Sequence, residues 1–301
     1  MDRPESVGSA PIATAAQDAL LQTVTESLAE DRFDPETEAG QGLIARLVNE
    51  GLGDERGVIR LRFAETLREI GEAATPHLTQ ALRTHPNPVV RRAAAKTLTL
   101  IADPQAVPDL LHAFLHDPDT VVHGSAAGAL ARIGEAAVPA LLQVLSDTSL
   151  PETTKGHAAW ALSFIGAEAA DLLYNALAAT QEESARGALI AAIGQVARER
   201  GDQSAIEILY QTLQDERPAL RAEAATSLGE LAIAPDPLYP LLQDPDLEVR
   251  KAAVSALGKL GTPETEDRLQ PLLHDPEPAL RVLAKRAIAQ IQNRQPAPND
   301  V

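Results

Sequence analysis

The sequence predicts an all-α solenoid: about eight short helix-pair repeats behind one N-terminal capping helix. The first observation behind this is a period. Asp54, His85, Asp117, Ser149, Thr180, Asp215, Asp244 and Asp275 open eight units spaced 31, 32, 32, 31, 35, 29 and 31 residues apart. Self-similarity in this range marks a stacked-repeat fold, in which each unit buries its apolar face on its neighbours. The second is composition. Apolar residues make up 45% of the 301, Ala and Leu lead them, and aromatics are 3%. Ala and Leu are strong helix formers, and no alternating strand pattern occurs. The third is spacing inside the unit. Apolar residues fall five, nine, thirteen and sixteen places after the opening residue, as at Val249, Ala253, Leu257 and Leu260. That is one face of a helix.

Each element follows in chain order. Residues 1–16 are polar, carry Pro and Gly, and are expected to be disordered. Gln17–Glu30 reads as the capping helix and Glu38–Leu52 as the first helix of unit one. The array runs as a single solenoid over residues 17–292, and 293–301 form a flexible tail. In each unit the opening Asp is expected to cap the second helix, with the following Pro in its first turn. Gly71, Gly134, Gly166 and Gly261 are expected to end second helices in left-handed caps. Pro76, Pro108 and Pro139 start or bend first helices. Six places after the opening residue stands a base: Arg60, Arg91, Arg186, Arg221, Arg250 and Arg281, replaced by His123 and Lys155 in units three and four. Its expected role is structural, a guanidinium bridging to an Asp of an adjacent turn.

The net charge of −17 disfavours nucleic-acid binding. With no cysteine the chain has no disulfide, thiolate nucleophile or thiolate cluster ligand of its own. No membrane insertion and no signal peptide are expected, and the chain reads as cytoplasmic. No Walker loop, G-x-S-x-G or dinucleotide fingerprint is present. His112 and His116 stand four apart with Asp117, Asp119 and His123 nearby, but no second His pair supports a metal site, and none is expected. Glu182–Glu183 reads as a solvated helix start.

The Asp-Pro…Val-Arg…Ala-Ala…Leu-Gly…Gly pattern resembles HEAT-like repeats of the phycobilin-lyase type, over about Glu38 to Gln292. DPDLEVRKAAVSALGKLG from Asp244 and DPDTVVHGSAAGALARIG from Asp117 carry it most clearly. Such repeats serve lyase subunits, phycobilisome-disassembly factors, hydroxylases and scaffolds. HPNPVVRRAAAKTL, DPDTVVHGSAAGALARIGEAAVP and KGHAAWALSFIGAEA are similar to a cyanobacterial branch whose members partner A-type iron–sulfur carriers. The hydroxylases use paired His-Glu motifs, and this chain has no His-Glu dipeptide.

Binding positions are expected where the repeat breaks. The outward line of the second helices lies eight, eleven and fifteen places into each unit. In unit one it reads Arg62, Glu65, Glu69 and in unit six Glu223, Thr226, Glu230, which read as solvent residues. In unit four it reads His157, Trp160, Phe164. Ser125, Gly128 and Arg132 precede it and Ala188 and Ala191 follow, so an aromatic ledge between small residues is expected to form a shallow pocket. Trp is a favoured interface anchor, although it could instead turn inward to fill a gap. Lys155 and His123 are expected to border the site and meet an acidic partner. Gly124, Gly156 and Gly187 cost helix stability and read as close approach of a helix or ligand, or as tight packing.

The expected function is a non-catalytic scaffold or chaperone that holds a protein partner and needs no cofactor. The resemblance implies an A-type iron–sulfur carrier or a phycobiliprotein as that partner. The alternative is one subunit of a heterodimeric bilin lyase, with phycocyanobilin as bound substrate. A second alternative is a phycobilisome-disassembly adaptor.

Overall fold

The computed structural model describes residues 10–231 and 233–294, and every regular element among them is helical. The chain forms two compact units, Met1–Ala140 and Leu141–Val301. In the first, α1 (Ala10–Ala29) leads. Three pairs follow: α2 (Glu38–Arg46, continuing as a π-helical turn over Leu47–Gly51) with α3 (Gly57–Ile70), α4 (Thr75–Thr84) with α5 (Pro88–Ile101), and α6 (Val107–His116) with α7 (Thr120–Ile133). α8 (Val138–Ser146) leads into the second, where it is followed by α9 (Glu152–Ile165), α10 (Ala170–Ala179), α11 (Glu183–Arg200), α12 (Gln203–Thr212) and α13 (Pro218–Leu228). A 3₁₀ stretch, Asp236–Gln243, then precedes α14 (Leu247–Leu260), and α15 (Pro263–Leu269) precedes α16 (Pro278–Gln292). The predicted helix pairs are therefore present. The 3₁₀ stretch replaces one first helix because Pro235, Pro237 and Pro240 remove the amides an α-helix would need there. The leading helix begins at Ala10, inside the segment expected to be disordered, and residues 1–9 and 295–301 lie outside the described chain.

The apolar stripe forms the core. Val122, Ala126 and Leu130 on α7, and Val249, Ala253 and Leu257 on α14, are fully buried, while the fourth positions, Ile133 and Leu260, are half-buried. Each buried Leu is worth about 1.5–3 kcal/mol, so this stripe outweighs any single cap. Consecutive second helices of the second unit approach closely at glycine. A Cβ on Gly194 would meet the Ser227 Cβ at 2.7 Å, one on Gly229 the Ala256 Cβ at 2.6 Å, and one on Gly258 the Ala287 Cβ at 2.8 Å. The glycines singled out in the sequence behave otherwise. Nothing lies within 4 Å of a Cβ on Gly124 or Gly156, and Gly187 would touch only Leu220 at 3.8 Å. They do not mark tight packing.

Two expectations about helix ends need correction. The opening Asp does not cap the second helix. Asp117 and Asp244 accept the amides of Asp119 and Asp246, and these later residues are the N-caps of α7 and α14. This Asx turn pushes the helix start two residues on, leaving the Asp-Pro proline in the loop. Gly71, Gly134 and Gly166 end their helices at positive φ, but with ψ of −143°, −136° and −108° and so outside the left-handed helical cap, and Gly261 has φ −58°. A Cβ there would lie 2.6 Å from the Leu257 carbonyl oxygen and 2.5 Å from Ile291 Cδ1, which leaves room only for glycine.

The base six places into each unit is structural, as expected. Its guanidinium donates to the opening carbonyl of its own unit: Arg60 to Asp54, Arg91 to His85, Arg186 to Thr180, Arg221 to Asp215, Arg250 to Asp244 and Arg281 to Asp275. Arg91 also makes a two-pronged pair with Asp117 (2.7 and 2.9 Å), and Arg221 one with Asp244 (2.8 Å for both).

Candidate functional site

The ledge expected on α9 is present and faces outward. Trp160 is 51% and Phe164 59% exposed, one helical turn apart. Their ring centroids lie 5.8 Å apart at 33°, within the range of favourable aromatic pairs. Trp160 therefore does not turn inward to fill a gap. His157 is exposed one turn earlier on the same helix, and Ala191 is half-buried on α11.

Other predicted members of the site behave differently. Lys155 is only 6% exposed, with Nζ 3.4 Å from the Glu152 carboxylate, so it does not border the ledge. It occupies the inward position that arginine holds in other repeats. Ala188 is buried and offers no surface. His123 takes the arginine role through a hydrogen bond between its Nε2 and the Asp117 carbonyl. Ser125 turns its hydroxyl onto its own helix, donating to the Val121 carbonyl at 2.8 Å. Ser125 and Gly128 are half-buried and Arg132 is exposed, all on α7 in the first unit.

Buried acids are held by their partners. Burial pushes the Asp117 carboxyl up, but hydrogen bonds from Arg91 and the Asp119 amide outweigh it and hold it below the usual range. The Arg221 hydrogen bond holds Asp244 low against its burial. Glu223, expected to be an ordinary solvent residue, is half-buried, and burial pushes its carboxyl up.

One feature escaped sequence reading. A cavity of about 530 Å³ lies between α3 and α5 in the first unit, lined by apolar and basic side chains. Its Lys96 and Leu100 stand at the same eleventh and fifteenth places as Trp160 and Phe164 in their own unit, which is the signal that could have found it. His112 and His116 bring their rings to 5.0 Å, yet among the described residues no group of three His, Cys, Asp or Glu is placed to hold a metal. The stretch Thr120–Ser146 is long and apolar enough to cross a membrane by length and composition, against expectation. Half of its apolar window is buried inside the protein, and Gly134 interrupts the helix.

Comparison with known proteins places this geometry. A family model for HEAT repeats matches residues 40–131, 113–194, 170–235 and 235–299. The bilin biosynthesis protein MpeU of Synechococcus sp. (strain WH8020) is 38% identical over 213 residues, covering 70% of this chain and 71% of MpeU. Among solved structures, the karyopherin Kap121p is similar with a TM-score of 0.57 at 14% identity, over 96% of this chain and 38% of that one. Human deoxyhypusine hydroxylase matches over 94% of this chain and 99% of its own, at 20% identity and a TM-score of 0.37. The Kap121p likeness shows the helical-repeat fold alone. Matched along most of its length by HEAT repeats and over 70% of it by MpeU, the chain belongs to the HEAT-repeat proteins, in the family of the bilin biosynthesis protein MpeU.

Proposed function

We propose that this chain is a binding subunit in phycobilin attachment, holding an open-chain tetrapyrrole and its phycobiliprotein acceptor together without supplying the nucleophile. The observation that carries this reading is the 38% identity to a bilin biosynthesis protein over 213 residues. It moves the lyase-subunit reading ahead of a general scaffold. The carrier-partner reading gains no support from that relative. Two features fit the proposal. The chain has no cysteine, so the thiol that receives the bilin belongs to the partner. The Trp160–Phe164 ledge offers a rigid aromatic anchor of the kind that dominates interface energetics.

The test is co-purification with an apo-phycobiliprotein in the presence of phycocyanobilin, with and without a second HEAT-repeat chain. The expected result is a red-absorbing adduct that survives denaturing electrophoresis. Trp160→Ala is expected to weaken the protein–protein association at least 30-fold, equivalent to about 2 kcal/mol or more at a hot spot. Its melting temperature should stay unchanged, because the ring is half in solvent. Acceptor binding with neither bilin capture nor adduct formation would overturn the attachment reading and leave a scaffold. Equal association by Trp160→Ala would remove the ledge from it.

A further inference from the structure

The cavity between α3 and α5 has the composition of a ligand site, and we propose that it binds a small amphipathic organic anion: an apolar body bearing a carboxylate or sulfonate. The inference is independent of the bilin reading. It starts from charge. The chain carries −17, yet the cavity is lined by Arg60, Arg92 and Lys96 and by no acidic side chain. Among the described residues, neither Arg92 nor Lys96 has a carboxylate partner within salt-bridge distance. Arg60 donates to the Asp54 carbonyl at 2.6 Å and also feels the Asp54 carboxylate, so the uncommitted cations are Arg92 and Lys96. Unpaired cations gathered on an acidic protein concentrate anions locally.

Apolar side chains lie beside these cations. Leu61 and Leu100 line the cavity at 55% and 44% exposure, with Ala64 and Ala93 between the helices. Arg60 and Arg92 stand in the first two turns of their helices with Gly57, whose amide opens α3 without a side-chain cap. Leu100 stands in the last turn of α5. Val89 lines the amino-terminal end of α5 and Lys96 stands one turn before Leu100, so cations and apolar groups alternate along the cavity, and a ligand that carries both an anionic group and an apolar body matches them. The volume, about 530 Å³, falls among sites for single small ligands, about 300–1,000 Å³.

The test uses a fluorophore pair that differs by one charge, 1-anilinonaphthalene-8-sulfonate and its uncharged parent N-phenyl-1-naphthylamine. Both are titrated onto the full chain and onto a Trp160→Ser/Phe164→Ser background that removes the other exposed apolar patch. The expected result is one equivalent of the sulfonate bound at least ten-fold more tightly than the parent on both proteins, and displaced by palmitate. Arg92→Gln/Lys96→Gln, which keeps most of both side chains' volume at a half-buried and an exposed position, should abolish that preference while leaving the parent's affinity and the melting temperature unchanged. Leu61→Asn/Leu100→Asn should weaken both probes. A preference that is absent, or that survives Arg92→Gln/Lys96→Gln, overturns the proposal. Displacement of the sulfonate by a Glu/Leu-rich helical peptide but not by palmitate also overturns it and assigns the face to a protein segment.

Discussion

Arg91 in the first unit and Arg186 in the second occupy the same place in the repeat and end in different bonds. Arg91 donates two hydrogen bonds to Asp117, which opens the next repeat, and both side chains are almost fully buried. Arg186 faces Asp215 in the same way, yet its nearest nitrogen stays 3.9 Å away and its Nε has no partner among the described residues. The cause sits two residues past the acid. Asp215 is already clasped by Arg217 at 2.9 and 3.0 Å, as Asp54 is by Arg56. Asp117 and Asp244 are followed at that place by Asp119 and Asp246, which cannot compete, and both are taken by the arginine of the preceding repeat. The repeat arginine is therefore constant, while the strength of its clamp depends on a residue outside the stripe.

The largest expected effect comes from breaking the closed pair. Arg91→Ala leaves Asp117 buried and unpaired, and should cost about 3–5 kcal/mol in denaturant unfolding. The pH dependence has a definite sign. Asp117 is held below its unfolded range, so the stability it contributes is complete above about pH 4 and is lost as pH falls through its folded value. Arg91→Ala should flatten that acid limb. A loss below 1 kcal/mol, or an unchanged limb, would show that the pair is ornamental.

The open pair makes the sharper test, because it predicts non-additivity. Arg217→Ala should cost only about 1 kcal/mol, since Arg186 can take over Asp215. The further loss on adding Arg186→Ala should exceed the cost of Arg186→Ala alone, because Asp215 is then stranded, a penalty of about 3 kcal/mol. Additive losses in a double-mutant cycle would mean that the two arginines do not share the acid.

The same contrast explains what was legible in the sequence. The period, the helix pairs and the Arg-to-carbonyl bonds follow from spacing, because helical geometry repeats faithfully. The Trp160 ledge was legible because Trp occurs once in the chain. The α3–α5 cavity was not, because Arg, Lys and Leu are ordinary on helix surfaces and only packing gathers Arg60, Arg92 and Leu100. Lys155 misled because a long cationic side chain suggests solvent, while its place in the repeat points it inward. The helix caps were misplaced by two residues because an Asp-Pro pair can open an Asx turn as well as a helix.

Glycine gives a third test of what position alone decides. Gly258→Ala should destabilise by about 1–3 kcal/mol, since its Cβ would lie 2.8 Å from Ala287. Gly156→Ala, into open space on α9, should stabilise by about 0.5–1 kcal/mol through helix propensity. If Gly156→Ala also weakens binding of the proposed phycobiliprotein acceptor, the bare helix backbone there is part of the docking face. If it leaves binding unchanged, the glycine is dispensable.

The smallest expected effect extends the contrast from arginines to acids. Asp117 and Asp244 are buried and held low because each has an arginine. Glu223, on α13, is half-buried with no hydrogen bond or ion pair among the described residues, and burial pushes its carboxyl up. The sign is therefore reversed. A carboxyl raised in the folded state favours folding while protonated, and that advantage is lost as pH rises through the folded value. Ionising Glu223 is therefore harder in the folded chain than in the unfolded one. Glu223→Gln removes the charge and keeps the shape, so it should raise the melting temperature at pH 8 and give no gain near pH 4, where the native side chain is largely neutral in the folded protein. An equal gain at both pH values would assign the effect to packing. No gain at either would mean that water or a partner already solvates the carboxylate, and that burial without an arginine is tolerated on this face.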